Sequence, residues 1–295
     1  MTQIDFQSRV GVWWTSDAWG IQDVRSRAKE MEGLGYGSLF YGEAFGKESL
    51  TQAGALLGAT ERLVVGTGIA NIHARDAKAA AAGSRTLSAL HPGRFVLGLG
   101  VSHGPLVEGN AGTYAKPLAT MRDYLKRMDE LSDKVEPGAA RPARLLAALG
   151  PKMIELSGTA ADGAHPYLIT PEQTASTREL LGPDKWVVSE QAVALTTDRE
   201  VGLRRAHEHL HMYSQLPNYR NSWLRQGFDE SDLVVGGSDK LAEHLVAIGD
   251  AKAIAEHVQR HLDAGADHVV IQVLGDDPSA DPLPALREIA PALDL

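Results

Sequence analysis

The feature of the chain that most constrains its fold is an eightfold alternation of short apolar runs with longer helical patterns. Most of the runs are continuously apolar rather than alternating apolar with polar residues. Such runs are typical of parallel strands that are buried on both faces, and parallel strands are usually connected by helices. The predicted strands cover 10–14, 38–43, 63–70, 94–100, 144–149, 165–169, a long run from 186, and 268–273.

Eight such units within 295 residues predict a single (β/α)8 barrel, the TIM-barrel fold, better than an open doubly wound sheet. We expect one domain over residues 1–295, because no linker rich in Pro, Gly or Ser interrupts the alternation. The main departure from a minimal barrel is a helical insertion, 198–245, between the seventh and eighth strands. A barrel places its site at the carboxyl ends of its strands, so the residues that follow them are the functional candidates.

The composition excludes several classes of function. The net charge of −9 opposes a general attraction to nucleic acid or to anionic lipid. The chain has no cysteine, which removes disulfides, thiolate nucleophiles and cysteine metal sites. No signal peptide is visible, and no apolar run approaches the roughly 18 residues of a membrane span. We therefore expect a cytoplasmic protein that acts on a small molecule, without nucleic-acid or membrane partners.

The fourth predicted strand is followed by Ser102 and His103 in the sequence GLGVSHG, 98–104. A histidine at the carboxyl end of a strand can move a proton near neutral pH, so His103 is a candidate acid/base group. A loop histidine without a function is the alternative interpretation. The glycines lack the GxGxxG spacing of a dinucleotide loop and are explained by close packing of the strand.

The turn between the fifth strand and the next helix contains Gly150, Pro151, Lys152 and Met153. Free amide groups and the helix dipole make such a helix start attractive to anions, and Lys152 adds a positive charge. The turn is therefore a candidate phosphate site. An ordinary strand-to-helix turn is the alternative, because every barrel has eight of them.

The insertion contains an H-E-x-x-H pattern formed by His207, Glu208 and His211. On a helix the two histidines share a face and could hold zinc, with Glu208 as the base of a hydrolase. The preceding Arg204 and Arg205 would repel a metal ion. A solvated helix face is the simpler interpretation, so zinc hydrolysis is kept as a remote alternative and no metal site is predicted.

Several longer segments resemble a known family. Residues 63–77 (LVVGTGIANIHARDA) and 87–103 (LSALHPGRFVLGLGVSH) are similar to the bacterial-luciferase-like oxidoreductases. Residues 150–174 (GPKMIELSGTAADGAHPYLITPEQT) resemble the branch that uses the deazaflavin coenzyme F420. The resemblance implies a TIM-barrel homodimer that transfers a hydride between F420 and a small organic substrate. An FMN-dependent monooxygenase of the same superfamily is the alternative, and a cofactor-binding paralogue without catalysis is another.

The resemblance also implies roles for individual residues. Family members have a non-prolyl cis peptide bond against the cofactor ring, which corresponds here to Gly68–Ile69. Glu43 fills the acidic position after the second strand, but Ala44 stands where relatives often have histidine, so the proton role moves to His103. The catalytic candidates are His103 and Glu43; those for cofactor binding are Glu43, Gly68, Ile69, Ser102, His103, Gly150, Pro151, Lys152 and Met153; those for the substrate wall are Trp13, Asn71 and His73.

One difference from the family bears on the substrate. Relatives that oxidise sugar phosphates have a lysine after the sixth strand that binds the substrate phosphate. This chain has Thr170-Pro-Glu-Gln173 at that place. The resemblance therefore argues against a sugar phosphate and leaves the substrate open.

Overall fold

The computed structural model describes residues 3–44, 46–109, 112–131, 134–277 and 279–295. Its strands are β1 (Val10–Trp13), β2 (Ser38–Tyr41), β3 (Val64–Thr67), β4 (Ala70–Asn71), β5 (Phe95–Gly100), β6 (Ala143–Leu146), β7 (Gly163–Ala164), β8 (Trp186–Leu195), β9 (Val246–Gly249) and β10 (His268–Val273). Eight of them form a closed parallel barrel in the order β1, β2, β3, β5, β6, β7, β8, β10, because β10 pairs with both β8 and β1. This confirms the predicted (β/α)8 barrel.

Helices follow the strands and cover the barrel. They are α1 (Ile21–Gly33), α2 (Ser49–Leu57), α3 (Ala77–Leu90), α4 (Gly104–Gly109), α5 (Pro117–Glu130), α6 (Pro151–Ala160), α7 (Pro171–Leu181), α8 (Arg199–Tyr213), α9 (Pro217–Arg225), α10 (Asp239–Leu245), α11 (Ala251–Asp263) and α12 (Leu283–Ile289). Their starts follow the local sequence: Asp76 and Asp250 accept hydrogen bonds from the first-turn amides of α3 and α11. In the part of the chain that the structure describes, no helix combines the length and the apolar character that crossing a membrane would need.

The core has three parts, each with a different position relative to the barrel. The largest lies between the strands and the surrounding helices. A smaller one fills the barrel interior with residues such as Phe40, Val96 and Leu145. The third joins the insertion to the carboxyl end of the barrel and includes Trp223, which is fully buried. The predicted helical insertion thus consists of α8, α9 and α10, and its apolar residues attach it firmly above the strand ends.

Two predicted strands differ from the structure. The sixth strand was expected at 165–169, but β7 ends at Ala164. Pro166 has no N–H for the ladder, and Leu168 has a φ of 53°, so the chain turns out of the sheet there. The third strand was expected to be continuous over 63–70, but it is interrupted at Gly68–Ile69 and divided into β3 and β4.

The short strand β7 depends on close backbone packing at Gly163. A Cβ there would lie 2.0 Å from the carbonyl oxygen of Trp186, to which β7 is paired. We expect Gly163→Ala to lower the free energy of unfolding by about 1–3 kcal/mol, because the neighbouring backbone must move. Urea denaturation measures this. Gly33→Ala in α1 is the matched control, since nothing lies within 4 Å of its Cβ; equal loss in both variants would contradict the interpretation.

Candidate active site

A cavity of about 410 Å³ lies at the carboxyl ends of the barrel strands. Its walls come from the segments that follow β1, β2, β3, β5, β6 and β7, and from α8 and α9 of the insertion. This volume falls within the usual range for small-molecule sites. The sequence-predicted residues that line it are Trp13, Glu43, Gly68, Ile69, Ser102, His103 and Met153.

A wider hollow of about 690 Å³ lies at the opposite end of the barrel, around 88–95 and 136–143. It is formed by segments that precede β5 and β6. Barrel enzymes carry their chemistry at the carboxyl ends of the strands, and the histidine and tyrosine side chains collect in the smaller cavity. The smaller cavity is therefore the candidate active site.

The segment Gly68–Ile69 forms one wall of the cavity, and its peptide bond is cis. Trp13 donates from Nε1 to the carbonyl oxygen of Gly68 at 3.0 Å. The backbone N–H of Glu43 donates to the carbonyl oxygen of Ile69, also at 3.0 Å. A Cβ on Gly68 would lie 2.6 Å from Trp13 Nε1 and 2.8 Å from Nε2 of His165, so only glycine fits there. Trp13 therefore holds this wall as well as lining the cavity.

Both oxygens of the Glu43 carboxylate already have partners. Oε1 accepts from the backbone N–H of Ser49 at 3.0 Å and from Arg75, and Oε2 accepts from the N–H of Asn71 at 2.9 Å. Arg75 also contacts Glu48 at 2.7 Å. Burial lowers the pKa of Arg75, but its bond to Glu43 and the nearby acidic charges outweigh this and raise it overall. Glu43 thus ties the end of β2 to α2 and to β4.

His103 lies at the carboxyl end of β5, after Ser102, whose φ is 59°. The Nδ1 atom of His103 is sealed from solvent and has no hydrogen-bond partner among the residues that the structure describes. Burial lowers the pKa of His103, so the imidazole is neutral near pH 7. Its ring faces Tyr219, with the centroids 5.7 Å apart. A neutral histidine at this place can accept a proton from a bound molecule.

The sequence analysis missed an aromatic cluster that covers the cavity. Tyr167 donates to Gln272 at 2.7 Å and accepts from Tyr213 at 3.2 Å. Nε2 of His209 lies 3.3 Å from the same Tyr167 hydroxyl. The ring of Tyr219 contacts that of Tyr213, with centroids 4.8 Å apart. The H-E-H-L-H segment contained a sequence signal for this cluster. Residues two apart on a helix point to different sides, so His209 faces away from His207 and His211 and can point toward the barrel.

Two further buried groups lie near the strand ends. His165 directs Nδ1 to the carbonyl oxygen of Val188 at 2.8 Å, and burial lowers its pKa to about 4. Glu190 accepts from the N–H of Leu168 through Oε2. Within the described ranges, Nε2 of His165 and Oε1 of Glu190 have no hydrogen-bond partner. Burial raises the pKa of Glu190 to about 8. Both groups are therefore largely neutral near pH 7, which keeps the interior beside the cavity uncharged.

The predicted phosphate turn lies at the edge of the cavity. Helix α6 begins at Pro151 as predicted, and no side chain caps it at Gly150. Leu149 and Met153 line the cavity, whereas Gly150, Pro151 and the exposed Lys152 lie just outside it. Arg225 of α9, which sequence reasoning missed, donates to the carbonyl oxygen of Leu149 at 3.2 Å. Two cationic side chains thus stand near an uncapped helix start.

Two residues predicted for the substrate wall, Asn71 and His73, are not among the described residues that line the cavity. The N–H of Asn71 donates to Glu43, and its Oδ1 accepts from the N–H of His73. His73 is exposed, and its ring lies 6.5 Å from that of Tyr114. Their assignment to the substrate wall stays a prediction.

The H-E-x-x-H segment forms no metal site in the structure. Across the described ranges, no three His, Asp or Glu side chains come together as metal ligands. His207 instead contacts the carbonyl oxygen of Gly236 and the carboxylate of Asp239, each at 3.0 Å. The zinc-hydrolase alternative therefore has no ligand set within these ranges.

The chain is similar in sequence to known proteins. Over 197 residues the chain is 29% identical to a Mycobacterium tuberculosis protein whose name describes it as a coenzyme F420-dependent oxidoreductase. The match covers 55% of this chain and 57% of that protein, so the chain spans little more than half of the length of this relative.

Solved structures show the same fold. An F420-dependent secondary alcohol dehydrogenase, in complex with an F420–acetone adduct, superposes with a TM-score of 0.76 at 15% identity, covering 97% of this chain and 99% of that one. The FMN-bound oxygenating constituent of a 3,6-diketocamphane monooxygenase from Pseudomonas putida has a TM-score of 0.69 at 14% identity, covering 97% and 96%. The sequence pattern of the luciferase-like monooxygenases matches residues 4–268. The chain therefore belongs to the luciferase-like monooxygenase family.

Proposed function

We propose that the protein is a coenzyme F420-dependent oxidoreductase that transfers a hydride between the deazaflavin and a small organic substrate. The observation that carries this proposal is the position of His103, a half-buried neutral histidine that lines the same cavity as the Gly68–Ile69 wall. The M. tuberculosis relative, named for F420, supports the choice of cofactor. The F420-bound dehydrogenase of the same fold supports it as well.

The residues present fit a deazaflavin. The wall at Gly68–Ile69 has no side chain at Gly68 and offers a surface for a flat ring, with Ser102 and Met153 on other sides of the cavity. The uncapped start of α6, with Lys152 beside it, is suited to the phosphate of the cofactor tail. When bound, the deazaflavin supplies or accepts a hydride at its central ring carbon.

The protein then has to place the substrate and move one proton. In the direction of alcohol oxidation, a bound oxidised deazaflavin would accept the hydride with its two electrons from the substrate carbon, and the chain's own residues would have to accept the proton. The substrate hydroxyl loses its proton to the neutral imidazole of His103, and the carbon–oxygen double bond forms. In the reverse direction, the imidazolium returns that proton to the carbonyl oxygen. The buried surroundings keep bulk water away from this proton transfer.

FMN is the alternative cofactor, because the FMN-bound monooxygenase superposes nearly as well as the F420-bound dehydrogenase. We expect fluorescence titration of the purified protein to give a dissociation constant on the order of micromolar or tighter for F420, and weak binding of FMN. The reverse order would favour an FMN-dependent monooxygenase, and binding of neither would contradict the proposed function.

The same titration tests the phosphate site. We expect Lys152→Ala to weaken F420 binding by roughly 2- to 10-fold, because a charge beside the helix start is lost. Binding of the deazaflavin nucleoside, which has no phosphate, should not change. Lys126→Ala is the matched control, since Lys126 is an exposed lysine on α5. Equal weakening with both ligands would place the phosphate elsewhere.

His103 is tested by substitution and by pH. We expect His103→Ala to lower kcat/KM for alcohol oxidation by roughly 100-fold or more, without loss of cofactor binding. The neutral form is the proton acceptor, so activity falls as the pH drops through the pKa of His103. Burial lowers this pKa, and the acidic limb of the profile should therefore lie below about pH 6.5. A variant that binds cofactor and keeps full turnover would contradict the assignment.

Glu43 is assigned here as a positioning residue, because its carboxylate is occupied by Ser49, Asn71 and Arg75. We expect Glu43→Gln to lower the free energy of unfolding by about 2–4 kcal/mol, since an amide nitrogen would face a donor and Arg75 would keep Glu48 but lose its more buried carboxylate partner. Exposed Glu155→Gln serves as the control in the same denaturation experiment. A variant of unchanged stability that loses turnover would instead support a direct role of Glu43 beside the cofactor ring.

A further inference from the structure

We infer that Tyr219, contributed by the inserted helix α9, donates a hydrogen bond to the oxygen of the substrate, and that this substrate is an uncharged alcohol or carbonyl compound with an apolar body. The inference rests on the proposed function and deepens it. It concerns a residue that lies more than a hundred positions from His103 in the chain.

The insertion holds Tyr219 in a defined place over the cavity. Tyr219 and Trp223 lie one turn apart on α9 and so share a face of the helix. Trp223 is fully buried, and its Nε1 donates to the carbonyl oxygen of Leu168 at 3.1 Å. The Tyr219 ring lies 5.9 Å from that of Trp223 and 4.8 Å from that of Tyr213, between centroids. Its orientation is therefore set by packing.

The hydroxyl of Tyr219 differs from those of its neighbours. The Tyr213 hydroxyl donates a hydrogen bond to the Tyr167 hydroxyl, which in turn donates to Oε1 of Gln272. Tyr219 is 6% exposed and lines the cavity, yet no hydrogen bond joins its hydroxyl to any residue that the structure describes. Unlike Nδ1 of His103, the Tyr219 hydroxyl is not sealed from solvent, so it opens into the cavity. A buried donor that opens into a cavity without a partner is suited to a ligand acceptor.

Tyr219 and His103 complement each other across the cavity. Their ring centroids lie 5.7 Å apart, and the ring planes are tilted by 50°. The pKa of Tyr219 is raised well above its usual value, mainly by burial and to a smaller extent by the nearby Tyr213 and Glu190. The phenol therefore stays protonated and can donate a hydrogen bond. The neutral His103 accepts. An alcohol oxygen can accept from Tyr219 and give its proton to His103, and a carbonyl oxygen can accept from Tyr219 alone.

The other lining residues decide the charge and body of the substrate. The described lining includes no lysine or arginine, so an anionic substrate would find no opposite charge within the cavity, and the lining carboxylates Asp17 and Glu43 are both engaged within the protein. Trp13, Leu106, Tyr167 and Met212 provide apolar surface around the two polar groups. An uncharged molecule with one oxygen and an apolar body matches this arrangement.

The test uses the protein loaded with oxidised F420, which cannot reduce a ketone. Cyclohexanone labelled with ¹³C at the carbonyl is the probe, and isotope-edited infrared spectroscopy reports its carbonyl stretch. We expect the bound band to lie below that of the ketone in hexane. In Tyr219→Phe the band should move back toward the hexane value, and binding should weaken about fivefold, as for loss of one neutral hydrogen bond.

Tyr213→Phe is the matched control, because the Tyr213 hydroxyl donates to Tyr167; the carbonyl band should stay at its wild-type position. A wild-type carbonyl band at the hexane position overturns the inference without any variant. The same band position in the wild type and in Tyr219→Phe overturns it as well. If the protein binds cyclohexanecarboxylate more tightly than cyclohexanone, the inference that the substrate is uncharged is wrong. We expect Tyr219→Phe to bind F420 as the wild type does. A failure of the infrared test therefore contradicts only the role of Tyr219, whereas a failure of F420 to bind in the titration contradicts the proposed function itself.

Discussion

The pairing of β10 with both β1 and β8 closes the sheet, and the site depends on that closure. Parallel strands in a closed barrel all end at the same rim, so residues far apart in the chain meet there. Trp13 from the end of β1 reaches Gly68 after β3, and His165 after β7 packs against the same glycine. An open sheet with the same strands would separate these groups.

Hydrogen bonds and an ion pair around Glu43 then fix the segments at the carboxyl rim of the barrel relative to one another. The Glu43 carboxylate joins β2 to α2 and β4, and Arg75 balances its charge. Burial of this pair is tolerable because the backbone N–H groups of Ser49 and Asn71 satisfy the remaining acceptor positions. The proposed roles divide accordingly. Glu43 shapes the wall on which the ring would lie, and His103 keeps an unengaged imidazole for the reaction.

The insertion completes the cavity and contributes Tyr213 and Tyr219 to its lining. Helix α8 turns His209 inward to Tyr167 and directs His207 outward to Asp239. Helix α9 brings Tyr219 to the cavity and Arg225 to the start of α6. A barrel scaffold shared with F420- and FMN-binding proteins can therefore carry a different substrate preference through this one segment.

The eightfold strand and helix alternation, the start of α6 at Pro151 and the place of His103 after β5 were predictable, because they depend on periodicity and local chemistry. The homodimer implied by the resemblance stays a prediction. Contacts between distant segments were not predictable. The Glu43 carboxylate binds the backbone of Asn71, and β7 ends early where Pro166 and Leu168 leave the ladder. The sequence by itself determined the barrel and its candidate strand ends. Only the tertiary structure decided which side chains share the cavity, because that depends on how the insertion packs above the rim.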